Sequence, residues 1–320
     1  MTRRDMARYL ARRLAQAALV LWAAFTLSFI VLYLLPGDPI EIMTGGGASG
    51  DAVDPAQIAA LRHEYGFDRP LAVQYLDRLA AALHGDFGRS VTSGVPVLGL
   101  IRTGLPATLT LTGLAVALAV PAGAGLALLA TYTRTPRLRR LLLSLPSLGV
   151  ALPTFWVGLV LLQVVSFRLR LLPSAGDAGP AAQVLPAVTL AVPAAAALAQ
   201  VLARGLDNVL RDPYVETAHA KGAGRLRVHL RHVAPNAVIP ALTLLGLVIG
   251  ELMTNAVVVE TVFSRDGLGR ITATAVGAED IPVVQGVVVV SAVVIVLVNL
   301  LVDLAYPLLD PRIVLGGRAS

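Results

Sequence analysis

IPVVQGVVVVSAVVIVLVNLLV, residues 281–302, runs for 22 residues without an Asp, Glu, Lys or Arg. A hydrocarbon core of about 30 Å takes roughly 20 residues of helix, so this stretch reads as a membrane span. Five more charge-free runs lie upstream, at Leu14–Gly37, Thr103–Thr133, Leu141–Phe167, Ala178–Ala203 and Val233–Gly250. The last of these continues past Glu251 through further apolar residues to Val259. Helices are the expected form, because in lipid every backbone N–H and C=O must be satisfied within its own segment. The sequence thus predicts an all-α integral membrane protein with six transmembrane helices.

Composition agrees. Charged side chains make up 14% of the chain and apolar ones 56%, with a mean hydropathy of +0.74; soluble domains average about 25% charge. The absence of cysteine excludes disulfide frameworks, thiolate metal sites and cysteine nucleophiles. The one lysine, Lys221, is followed by Gly222, so the chain has no Gly-Lys-Ser/Thr to hold nucleotide phosphates. If ATP is used, a partner binds it.

Lysine and arginine set the orientation. With the N-terminus inside, segments 1–13, 134–140, 204–232 and 303–320 carry 17 basic residues and the outer segments nine. Both termini are therefore expected in the cytoplasm. The net charge of +6 is then a record of topology, and no aromatic-and-basic strip points to nucleic acid. The first span exceeds the roughly 7–15 residues of a signal-peptide core and is read as retained.

The expected organisation is an arginine-rich amphipathic segment with the first span (1–37), an outer loop with short helices (38–93), a membrane core with the remaining five spans (94–310) and a cytoplasmic tail (311–320). Asp54-Pro55 suits a helix start running toward Arg62. Val73, Leu76, Leu79, Ala80 and Leu83 repeat at helical spacing in a second short helix. Residues 1–13 suit an interfacial anchor with snorkelling arginines. Pro106, Pro121, Pro146, Pro153, Pro186 and Pro193 fall within or near spans, where each removes a ladder hydrogen bond and bends the helix.

The one long cytoplasmic loop, 204–232, contains Asp212-Pro213-Tyr214-Val215-Glu216-Thr217-Ala218-His219-Ala220-Lys221-Gly222-Ala223. Pro213 suits a helix start and Gly222 a helix stop, so a helix of about two turns is predicted between two spans. Its small face of Thr217, Ala218 and Ala220 admits a close-packed neighbour, as a docking knob would.

This passage resembles the EAA loop of ABC-importer permeases: Glu216-Thr217-Ala218, three residues, then Gly222. The general pattern continues with nine residues and Ile-x-Leu-Pro; here His232 stands at that point, with Pro235 and Pro240 beyond. The run from Tyr214 to Gly222 followed by Arg231-His232-x-x-Pro235-Asn236-Ala237-x-x-Pro240 is similar to the dipeptide/oligopeptide/nickel branch. So are Leu35-Pro36-Gly37-Asp38-Pro39, Tyr65-Gly66-Phe67-Asp68-Arg69-Pro70-Leu71, Gly85-Asp86-Phe87-Gly88, Glu260-Thr261-Val262-Phe263 with Gly267-Leu268-Gly269, Asn299-Leu300-x-x-Asp303 and Leu309-Asp310-Pro311-Arg312. With Arg12-Arg13-Leu14 at the start of the first span, the resemblance extends over nearly the whole chain, from about residue 8 to 313, and points to the B-type permease.

The resemblance implies a type I ABC importer transmembrane fold in a bacterial plasma (inner) membrane. It implies no catalytic residue, metal or cofactor in this chain, with ATP and Mg bound by partner subunits. The implied partners are a related second permease forming a heterodimer, one or two kinds of cytoplasmic ABC ATPase subunit and an extracytoplasmic solute-binding protein. The implied cargo is short peptides, with nickel chelates, glutathione or another small solute as alternatives. Carried over by position, Tyr214, Glu216, Thr217, Ala218, Lys221, Gly222 and Ala223 form the ATPase-coupling helix.

Read from the residues alone, Glu251 and Asn255 stand four apart in the fifth span. Polar groups at that depth face a cavity or a partner, so they line a substrate path or fix a permease–permease interface. Asn299 and Asp303 have the same spacing near the cytoplasmic end of the sixth span and read as structural. His229 and His232 lie in an arginine-rich loop without carboxylate or thiol ligands, a poor metal site. A proton-coupled secondary transporter would need an intramembrane carboxylate relay; Glu251 is the only clear mid-span acid.

Overall fold

The computed structural model of the chain describes residues 3–34, 68–176 and 179–309. Its helices run in order α1 (Arg3–Leu34), α2 (Leu71–Leu83), α3 (Val97–Tyr132), α4 (Pro136–Ala151), α5 (Thr154–Leu161), α6 (Ala181–Val209), α7 (Pro213–Ala220), α8 (Arg225–Val228), α9 (Ala234–Val262), α10 (Leu268–Gly277) and α11 (Ile281–Leu309). Among the described residues two π turns interrupt the α winding: Leu162–Arg168 extends α5, and His229–Val233 joins α8 to α9.

Among the described residues, five segments are long and apolar enough to cross a membrane: Ala11–Leu32, Val97–Tyr132, Ala181–Val209, Arg225–Val262 and Ile281–Val302. They match five of the six expected spans. The expected third span, Leu141–Phe167, requires a correction, because it is not one helix. Its two halves, α4 and α5 with the π turn, meet at 101°, and counted together they make the sixth span. Leu152 (ψ 125°) and Pro153 (ψ 134°) are both extended, and at Leu152 the ring of the following proline disfavours the α region.

The arginine-rich start is helical from Arg3 and continuous with the first span in α1, rather than a separate element. The expected helix over 73–83 is present as α2. The one expected at Asp54-Pro55 lies outside the described residues.

The described residues pack as two units. One comprises the chain up to Ala107 together with Asp266–Val296, and the other comprises Thr108–Arg265 with the chain from Leu297 on. In the second, α6 is the central helix: 56% of its apolar window is buried, against 17–33% for the other four spans. The other spans therefore keep broad faces for lipid or partners. Between helices in lipid there is little hydrophobic drive, so close backbone approach does the packing. A Cβ on Gly123 of α3 would stand 2.7 Å from the carbonyl oxygen of Ala195 in α6. Leu111, Leu162, Leu190, Leu252 and Phe263 are among the buried residues of the apolar core of this unit. Glu260, fully buried near the end of α9, accepts a 2.6 Å hydrogen bond from Thr108 Oγ1.

In the first unit, Phe25 and Phe29 of α1 meet the Tyr75 ring edge-on at 5.8 and 5.4 Å. Asp280, buried immediately before α11, accepts hydrogen bonds from Ser90 Oγ (2.5 Å), Thr92 Oγ1 (2.9 Å) and the amides of Val91 (3.2 Å) and Thr92 (3.3 Å). The same carboxylate takes the Val283 amide of α11's first turn at 3.4 Å, so one acid both caps the helix and fastens the distant turn at 90–92 to it.

Candidate functional site

The segment from α7 to the start of α9 is built to present one small face. The chain leaves α6 through a tight turn, Asp212 is extended at the N-cap, and Pro213 occupies the first turn of α7. Val215 is 3% exposed and packs with Leu202, Leu206, Val228, Val233 and Ala237; Ala218 and Ala223 pack against the same cluster. Residues three apart share a helix face, so Val215 and Ala218 turn inward. Glu216, Thr217, Ala220 and Lys221 are left exposed on the other side.

The end of α7 is a Schellman motif. The Gly222 amide donates to the His219 carbonyl (2.9 Å), and the Ala223 amide reaches back to the Ala218 carbonyl (3.1 Å). That geometry demands a left-handed residue between them, and Gly222 supplies it with φ at +83°. A glycine stop to this helix was expected from sequence, and the motif is its physical cause.

Tyr214 is tied to the chain 18 and 22 residues on. Its hydroxyl donates to the His232 carbonyl at 3.0 Å and accepts from Asn236 Nδ2 at 3.0 Å, while Asn236 Nδ2 also reaches the His232 carbonyl at 3.1 Å. His229 is buried, with Nε2 2.9 Å from Thr131 Oγ1 and its ring edge-on to Tyr132. Its Nε2 is thereby turned toward the end of α3, away from any pairing with His232. Arg139 places Nη2 at 2.8 and 2.9 Å from the two oxygens of Asp207, joining α4 to the last turns of α6.

The structure therefore gathers Tyr214, Glu216, Thr217, Ala218, Lys221, Gly222 and Ala223 on one short element. Glu251 and Asn255 stand apart, about 25 Å along α9 from its start at 1.5 Å per residue. Glu251 is exposed, on a stripe with Leu247, Thr254, Val258 and Thr261. Asn255 is half-buried and donates its amide to the Glu251 carbonyl at 3.1 Å, within its own helix. Asn299 lies against α9, where a Cβ on Gly246 would stand 2.9 Å from its Oδ1; the side chain of Asp303 is outside the described residues. Sequence reasoning missed Asp280 and the Asn236 contact. For Asp280 a signal existed: an aspartate just before an apolar run, with proline two residues on, is a helix start.

The family described as "Binding-protein-dependent transport system inner membrane component" matches residues 119–315, and its N-terminal companion matches residues 6–112. The chain belongs to this family. It is a membrane-spanning permease subunit, and in such importers ATP hydrolysis is the work of partner ATPase subunits. The probable peptide ABC transporter permease protein y4tP of Sinorhizobium fredii is 36% identical over 95% of this permease and 98% of its own length. The dipeptide transport system permease protein DppB of Escherichia coli is 33% identical over 96% and 99%. The glutathione transport system permease protein GsiC of Salmonella typhimurium is 35% identical, again over 96% and 99%. Among solved structures, the inward-facing MetNI methionine ABC transporter aligns with 67% of the permease and 97% of that chain, at 17% identity and a TM-score of 0.56. An amino acid ABC transporter aligns with 64% and 92%, at 21% identity and a TM-score of 0.51. These likenesses establish the fold as that of ABC importer transmembrane subunits. Permeases of this family work with ATPase subunits and a substrate-binding protein.

Proposed function

We propose that this permease forms half of the translocation pathway for short peptides in a bacterial plasma membrane, with α7 as the helix that engages the ATPase. The peptide cargo is supported by the near full-length similarity to y4tP and DppB; the similarity to GsiC supports glutathione as the second reading. The observation that carries the docking role is the two-sidedness of α7: Val215 and Ala218 hold it to its own chain, and Glu216, Thr217, Ala220 and Lys221 stay free of that contact. Both termini and the 204–232 loop then lie in the cytoplasm and 38–93 outside, with 94–310 as the core and 311–320 as a tail. A related second permease completes a heterodimer, and one or two kinds of ATPase subunit attach beneath.

Glu216→Lys reverses a charge on the exposed face without touching the cluster around Val215. Pull-down from native membranes in mild detergent should recover the second permease with both proteins, and the ATPase subunits with wild type only. A homo-oligomer indifferent to the substitution would overturn the reading.

On the same reading Glu251 lines the path. A carboxylate exposed in the middle of an apolar helix is costly against lipid, and its stripe carries Thr254 and Thr261. Because the chain has no cysteine, Glu251→Cys places a single thiol there. A membrane-impermeant maleimide should modify it in the assembled transporter. Protection until the bilayer is dissolved would place the stripe against lipid or protein instead.

A further inference from the structure

We infer that Tyr214 and Asn236 form a strap by which movement of α7 is passed directly to α9. The inference rests on α7 being the helix that engages the ATPase. A displacement of α7 has two ways to reach α9. The covalent way runs through Gly222, Gly224, the four residues of α8 and the π turn His229–Val233. It contains two glycines and a stretch of non-α winding, features associated with compliance. The other way is lateral. The Tyr214 hydroxyl, in the first turn of α7, reaches the His232 carbonyl inside the π turn and the Asn236 amide in the first turn of α9. Asn236 closes the triangle on the same carbonyl. Three groups thus bridge the π turn and bypass the loop between them.

The apolar cluster around Val215 also joins the two elements, but apolar contact has no preferred direction, so surfaces joined by it can slide. Hydrogen bonds weaken steeply off-axis, so the strap resists the sliding that the cluster permits. Tyr214 is 39% exposed, so Phe can replace it with the ring contacts kept. Tyr214 and Asn236 are positioning residues in this scheme; neither needs to meet cargo or nucleotide.

The test uses the assembled transporter, purified from native membranes and held in lipid nanodiscs. Thr261→Cys, exposed near the far end of α9, supplies one thiol in a cysteine-free chain. Its modification by an impermeant maleimide is compared with and without MgATP and vanadate, and ATPase activity is read in the same samples. In Asn236→Ala, whose site lies in α9 outside the docking helix, the complex should assemble and hydrolyse ATP within about twofold of wild type, and Tyr214→Phe is read as the change at residue 261 per ATP hydrolysed. The ATP-dependent change at residue 261 should fall about three- to tenfold, the range that loss of one net hydrogen bond allows. The double variant should be no worse than either single one, because the groups act as a unit. An undiminished change at 261 in the single variants overturns the strap. So does a parallel loss of ATPase or of partner subunits in Asn236→Ala, which would mean that the contact only keeps α7 in shape. Glu216→Lys separates the two levels of the argument. If it impairs the response while Tyr214→Phe does not, only the strap fails; if it too leaves everything intact, the docking role of α7 fails with it.

Discussion

Gly222→Arg is expected to leave the permease inserted and folded while ATP-dependent uptake falls by about tenfold or more. Among the described residues, its chain neighbours aside, nothing stands within 4 Å of a Cβ at this position, so the substitution meets no clash there. The cost is in the backbone. Gly222 sits at φ +83°, where an L-residue is disfavoured by roughly 1–2 kcal/mol, and about 1.4 kcal/mol is a factor of ten in a population. Relaxing that strain breaks the two back-reaching amides of Gly222 and Ala223 and lets the end of α7 unwind. The arginine side chain then stands beside Lys221 and adds a second charge to the face that carries Glu216. Uptake of a labelled dipeptide by intact cells, with membrane abundance measured by blotting, reads both parts. Uptake equal to wild type at equal abundance would contradict the assignment of α7. Gly222→Ala should keep more activity, since it brings the strain without the bulk or the charge.

Asp280→Ala is expected to give the largest loss of stability, about 2–4 kcal/mol. Ser90 Oγ, Thr92 Oγ1 and the amides of Val91 and Thr92 all converge on one buried carboxylate, and a buried donor left without its acceptor costs about 1–3 kcal/mol. Loss of the helix cap adds about 1 kcal/mol. The hydroxyls offset part of this, because Ser90 can turn its freed proton toward Ser93 Oγ, 2.8 Å away. Asp280→Asn keeps one acceptor oxygen and should cost roughly half as much. Thermal unfolding of the purified complex, together with protease sensitivity of residues 89–95, would measure both variants. A melting temperature within about 2 °C of wild type for Asp280→Ala would rule out the carboxylate as the clasp.

Much of this was legible before the structure, and what was not has a physical pattern. The apolar runs revealed five continuous spans because length without charge is a local property. They misled at Leu152-Pro153, since hydropathy records what a segment is dissolved in and is blind to its direction. Pro153 was visible, yet proline inside an apolar run is equally compatible with a mild kink and a corner. Both ends of α7 were readable, since Pro213 and Gly222 act on their own backbone. The clasp on Asp280 was not, because its partners lie up to 190 residues away and no spacing rule joins them. The Tyr214–Asn236 contact fails for the same reason over 22 residues.

The corner between α4 and α5 has a thermodynamic corollary. At 1.5 Å per residue, α4 extends about 24 Å and α5 with its π turn about 22 Å, so neither leg crosses a layer of about 30 Å alone. Where they meet, helix-end carbonyls and amides lose their partners along the chain. Irregular backbone at membrane depth is tolerated only beside protein or water, and Leu148, Val150, Phe155 and Trp156 around the corner are all exposed in the isolated chain. With the corner at that depth, a single copy surrounded by acyl chains would carry that cost undischarged, and association would relieve it. The free energy of folding of this subunit is then not a property of the subunit. It contains an assembly term, rises with the concentration of whatever covers the corner, and has no single value for the polypeptide on its own.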